Sequence, residues 1–132
     1  MTEKRILGTV TLPGDTASVR LFRRFVADII GTYWPTGAEK FDDVVLLTSE
    51  SVTNSVVHSD SRRGGVVTLS LIASDAALRV EVLDAGGETL PVQAQAGELC
   101  TSGRGVFLVE ALARGFGHRV DAQGRLLTWF EV

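Results

Sequence analysis

Cysteine is nearly absent. Cys100 is the single one in 132 residues, so neither an intramolecular disulfide nor a multi-cysteine metal site can form. Aromatic residues are scarce as well, at 7% against 45% hydrophobic residues in all, so the core has to be built from Val, Leu, Ile and Ala. No apolar run approaches the roughly 20 residues a membrane-spanning helix needs, and no signal-peptide pattern is expected at the start. The expected compartment is therefore the cytoplasm. A block of Lys and Arg is also missing. With 13 basic and 16 acidic residues the net charge is -3, which argues against a nucleic-acid surface and leaves no membrane partner to expect. Local clusters do occur, at Arg20, Arg23 and Arg24 and again at Arg62 and Arg63. Solvated helix and loop charges are the ordinary explanation for them, and a protein-docking surface the other.

What remains is enough for one domain, residues 1–132, with a core that holds without staples. Residues 6–12 read as a strand stopped by Pro13-Gly14. Asp15 or Thr16 then caps a helix whose apolar positions Val19, Phe22, Phe25, Val26 and Ile29 recur at helical spacing. Gly31 and Trp34-Pro35 are expected to end it. A second helix runs from Phe41 to about His58, with Asp42 and Asp43 where the helix dipole favours negative charge. After the turn at residues 62–65, two β-branched runs, 66–72 and 78–83, predict an antiparallel pair; Arg79 and Glu81 alternate with Val80 and Val82 across a half-exposed strand.

From Asp84 to Gly103 nothing is periodic, and an irregular stretch of that length is usually functional. Residues 106–113 read as a third helix, closed by Gly115 and Gly117, before a hairpin of strands 118–121 and 126–132 turning at Gln123-Gly124. Helices and strands are thus segregated. The order predicts an α/β (α+β) two-layer sandwich, helices on one face of an antiparallel or mixed sheet.

Three segments can carry chemistry. Glu50 and Asn54, four residues apart, put a carboxylate and an amide on adjacent turns of one helix face. Leu46, Leu47 and Val57 flank that face, while Phe41, Val45, Thr48, Val52 and Val56 form a stripe opposite. A carboxylate among aliphatics has to be answered by a metal ion, a water to be activated or a buried partner such as Arg. Asp84-Ala85-Gly86-Gly87 ends a strand in a hydrogen-bond acceptor followed by glycines that let a flat ligand approach the backbone. Gly103-Arg104-Gly105 opens a helix, where free N–H groups favour phosphate oxygens and Arg104 is a further phosphate contact if it points inward.

Glu-Xaa3-Asn on a helix, Asp-Xaa-Gly after a strand, a long loop and then Gly-Xaa-Gly opening a helix, in that order, resemble the GHKL ATP-binding fold of DNA gyrase and histidine kinases. Leu12-Pro13-Gly14-Asp15, Ser49-Glu50-Ser51-Val52-Thr53-Asn54 and the run from Gly103 to Ala113 look like the anti-sigma factor serine/threonine kinases within it, the stand-alone type of actinobacteria. The resemblance covers residues 7–132. It implies Glu50 as general base, Asn54 as ligand of Mg²⁺, Asp84 as acceptor for the adenine amino group, and Gly86 as the residue that lets the base lie close. Gly103, Arg104 and Gly105 would meet the phosphates of ATP, under a lid made by the preceding loop. The implied partners are a sigma factor and a STAS-type anti-sigma factor antagonist, and the family commonly forms homodimers through the N-terminal strand.

Two departures separate two expectations. Glu88 stands where the family has a further glycine, and Leu99-Cys100-Thr101-Ser102 where some of its kinases place Arg. One expectation is a protein serine/threonine kinase that also sequesters a partner. The other is a nucleotide-sensing binding module with little or no transfer activity.

Overall fold

Alternation of β-branched and small residues makes strands, and here it makes a sheet with one dry face. The computed structural model describes residues 4–33, 40–58, 65–74, 77–85 and 112–132. In chain order they form β1 (Arg5–Pro13), α1 (Ala17–Tyr33), α2 (Phe41–His58), β2 (Val66–Ala73), β3 (Leu78–Asp84), β4 (Gly115–Val120) and β5 (Leu126–Glu131). The sheet order is β1-β2-β3-β5-β4, and every pairing among these strands is antiparallel. Helices α1 and α2 pack on each other, α1 against β1 and α2 against β3 and β2. The expected two-layer sandwich is the observed one.

The inner face of the sheet supplies Val67, Leu69 and Leu71 from β2, Leu78, Val80 and Val82 from β3, and Phe130 from β5. Helix α1 adds Phe22, Val26 and Ile30, all essentially removed from water. Each such side chain contributes on the order of 1.5–3 kcal/mol by burial, so a core poor in aromatics still holds. Asp15 is the cap of α1: its Oδ1 accepts a hydrogen bond from the Ser18 amide at 3.2 Å.

Three sequence expectations need correcting. Helix α1 runs through Gly31 to Tyr33, directly before Trp34-Pro35, so of the two expected stops only Gly31 fails, since packing of its apolar face outweighs the roughly 1 kcal/mol that one glycine costs a helix. The buried stripe of α2 is Val44, Leu47, Thr48, Ser51, Val52, Ser55 and Val56, while Leu46 is exposed and Val45 only half-buried. The stripe is rotated because the helix faces both α1 and the sheet, and small hydroxyl residues fit that crowded contact. Gly115 and Gly117 do not close a helix; both lie in β4. Their role is steric. A Cβ on Gly117 would sit 2.9 Å from two atoms of the Trp129 indole, so the missing side chain lets that ring lie flat across the neighbouring strand. The expected irregular stretch after Asp84 and almost all of the helix at 106–113 lie outside the described residues.

On the outer face, Arg79 stacks over Trp129 at 4.1 Å from the ring centroid and pairs with Glu81 at 2.8 Å and Glu131 at 3.3 Å. Hydroxyl pairs Thr9–Ser70 and Thr11–Thr68 tie β1 to β2. Asp121 accepts backbone bonds from Gln123 and Arg125, and Gly124 takes the positive φ of 81° that closes the β4–β5 turn.

Gly8 marks the closest approach of α1 to the sheet. An added Cβ would meet Phe25 at 2.9 Å and Ile29 at 3.1 Å, directly after the bulge that inserts Leu7 between the paired Ile6 and Gly8. Gly8→Leu is therefore expected to lower stability by about 1–3 kcal/mol through overpacking, read from urea unfolding at constant m value. Thr48 gives the opposite expectation. Its Oγ1 is buried without a hydrogen-bond partner among the described residues, and a hydroxyl in that state costs about 1 kcal/mol or more. Thr48→Val should raise the melting temperature by about 2–5 °C in a calorimetric scan; a fall would show that the hydroxyl is bonded.

Candidate functional site

Helix α2 sets the geometry. Leu47, Ser51 and Ser55 turn into the protein, and Glu50 and Asn54 follow them on the border of the buried arc, each half-buried. Thr53 donates from Oγ1 to the Ser49 carbonyl at 2.7 Å, which occupies the hydroxyl next to Asn54 within the helix itself. Asn54 differs from its polar neighbours. Its Oδ1 is buried and no hydrogen bond reaches it among the described residues.

An amide oxygen shielded from water and left unbonded is expensive. It becomes economical only when something electron-poor meets it. A hard divalent cation does so: Mg²⁺ takes oxygen ligands, keeps several waters, and uses one or two protein groups together with substrate phosphates. Among the described residues no group of three or more His, Cys, Asp or Glu could cage a metal, and Mg²⁺ held with a nucleotide needs no such cage. The residues present thus fit a magnesium–nucleotide site, with Glu50 one turn before Asn54.

Asp84 ends β3, the strand on which α2 rests. It is only 2% exposed, an environment in which a carboxylate needs hydrogen-bond donors around it. Ala85, the next residue, is exposed, so Asp84 lies at the rim of the core. The β5 register adds residues that the sequence left unplaced. Leu126 is directly opposite Asp84 and Thr128 opposite Val82, and cross-strand partners share a face. Thr128 therefore points to the same side as Asp84, one pair away, while Leu126 supplies an apolar wall beside the carboxylate. The β4–β5 turn fixes this register; from composition alone, any of three consecutive residues could have filled the place. Gly86, Gly103, Arg104 and Gly105 lie outside the described residues.

Residues 12–129 match the family described as the histidine kinase-like ATPase domain, close to the full chain. The chain belongs to that family. The family's name implies ATP binding. One curated relative, the anti-sigma F factor of Clostridium acetobutylicum, is 44% identical over 48 residues, or 36% of this chain. The chain spans 34% of the length of that relative. Among the described residues no helix is long and apolar enough to cross a membrane.

If Asn54 meets a magnesium–nucleotide complex, its loss should be felt by the ligand and hardly by the fold. Asn54→Ala is expected to weaken Mg·ATP binding about tenfold or more in calorimetric titration. The melting temperature without nucleotide should stay within about 2 °C, since the amide oxygen has no native hydrogen bond to lose. A large drop in melting temperature with unchanged affinity would make Asn54 a structural residue instead.

Proposed function

We propose that the chain is an ATP-binding regulator of the anti-sigma type, which phosphorylates a serine or threonine of a STAS-type anti-sigma factor antagonist and sequesters a sigma factor. The observation that carries this reading is the buried, partnerless Oδ1 of Asn54 one turn beyond Glu50. The likeness to an anti-sigma F factor supports the regulatory part.

In this reading Asp84 accepts a hydrogen bond from the adenine amino group, with Thr128 on the same side of the sheet. Gly86 leaves room for the base, and Gly103, Arg104 and Gly105 receive the phosphates. Asn54 would hold Mg²⁺, which would supply positive charge against the negative charge of the phosphates. Glu50 takes the proton from the substrate hydroxyl as that oxygen bonds to the γ-phosphorus and the bond to the ADP oxygen breaks. Transfer of this kind rests on position and charge more than on covalent help from the protein. Residues 1–132 act as one domain, and β1, an edge strand with Ile6 67% exposed, offers an edge for pairing with a second copy.

A nucleotide sensor that binds its partner without transferring phosphate is the second reading. Leu126 opposite Asp84 and Glu88 in place of a glycine favour it. One assay separates the two. With labelled ATP and a purified STAS-type antagonist, the wild type should transfer phosphate, and Glu50→Gln should be slower by about 10²-fold or more with Mg·ATP affinity retained. Equal rates for the two proteins would remove Glu50 from the chemistry. Tight binding with no transfer by the wild type would establish the sensor.

A further inference from the structure

By composition, the part of α2 that carries the candidate site is a poor helix. Residues 48–55 read Thr-Ser-Glu-Ser-Val-Thr-Asn-Ser, and apart from Glu50 all are weak helix formers. Thr48, Ser51, Val52 and Ser55 are buried and held by packing. Ser49, Glu50, Thr53 and Asn54 are only half-buried, so packing holds their side of the helix less firmly.

One bond closes that side. Thr53 donates from Oγ1 to the Ser49 carbonyl at 2.7 Å, an oxygen that in an α-helix already accepts the Thr53 amide. The residues so joined are the ones directly before Glu50 and directly before Asn54. The hydroxyl thus spans the same four-residue step that separates the acid from the amide. A back-bond of this kind adds no stability to a helix but bends it slightly, as a carbonyl drawn towards a second donor tilts out of the ladder.

Stability does not account for Thr53. It is a weak helix former and no part of the apolar core. Its hydroxyl is bonded, whereas that of Thr48, fully buried on the same helix, has no partner among the described residues. What a fixed bend at this turn does control is the direction of the next side chain. Asn54 Oδ1 is buried and meets no hydrogen bond among the described residues, so no native bond of its own holds that atom in place. Misplacing a functional group by about 1 Å can cost on the order of 10²-fold.

We infer that Thr53 is a positioning residue: through its back-bond to Ser49 it fixes the curvature of α2 between Glu50 and Asn54, and so aims the Asn54 amide oxygen at the magnesium–nucleotide complex. This role rests on the reading of Asn54 proposed above. Thr53 stands about 100° around the helix from Asn54 and needs no contact with the ligand itself.

A double-mutant cycle read by calorimetric titration of Mg·ATP tests the role. Thr53→Val keeps the shape of the side chain and removes the donor, whereas Thr53→Ser keeps the donor. Thr53→Val is expected to weaken Mg·ATP binding about fivefold or more, and Thr53→Ser to stay within about twofold of the wild type. In the Asn54→Ala background, Thr53→Val should change the affinity by less than about twofold, because the group it aims is gone. If Thr53→Val melts early, Thr53→Ala, a better helix former, takes its place in the cycle. Unchanged affinity on loss of the hydroxyl, an equal loss in both backgrounds, or a Ser variant as weak as the Val variant would overturn the proposal. The two readings fail separately. If Asn54→Ala weakens Mg·ATP and Thr53→Val does not, the positioning role alone falls; if Asn54→Ala binds as the wild type does, the magnesium reading of Asn54 falls and takes the positioning role with it.

Discussion

Helix α2 has to satisfy two surfaces at once, and the rest of the molecule follows from that. Its inner arc packs Val44, Leu47, Val52 and Val56 into the core, while Glu50 and Asn54 stand on the border between that arc and the outside. A rotation of one residue, about 100°, would drive the carboxylate into the aliphatic layer or turn the amide into solvent. The hydrophobic seating of α2 is therefore also the device that aims its polar pair. Ser51 and Ser55, buried between the apolar residues, keep the helix close to its neighbours without adding bulk.

That dual role explains what was legible in the sequence and what was not. Strands β2 and β3 were plain because period-two alternation survives wherever one face is dry; the register Leu69–Val82 and Leu71–Val80 pairs like with like. The Glu50/Asn54 pair was legible because two polar residues at helical spacing interrupt an apolar run. The rotated stripe of α2 was not, because Val45 and Leu46 are as hydrophobic as Val44 and Leu47, and only contact with α1 and the sheet chooses between them. Gly115 and Gly117 misled for a related reason. A glycine after a helical pattern reads as a stop, and only the distant Trp129 shows that the small residues make room for a ring.

The candidate site shows the same division. Chemistry that depends on one element could be read directly: an acid and an amide on α2, an acceptor at the end of β3. Chemistry that depends on register could not. Whether Leu126 or Thr128 stands across from Asp84 is decided by how the β4–β5 hairpin turns, through Gly124 and the bonds that Asp121 accepts. Family membership implies ATP binding, and Leu126, directly opposite Asp84, gives that carboxylate an apolar neighbour.

Trp129 lies between Gly117 of β4 and the guanidinium of Arg79 on β3, so one indole touches strands on both sides of its own. It does so on the side of the sheet turned away from α2. With Trp34, the chain's other tryptophan, replaced by Phe, its emission should follow docking of the C-terminal hairpin while remaining blind to whatever occupies the opposite side, which makes the ring an optical gauge of sheet integrity, independent of ligand occupancy.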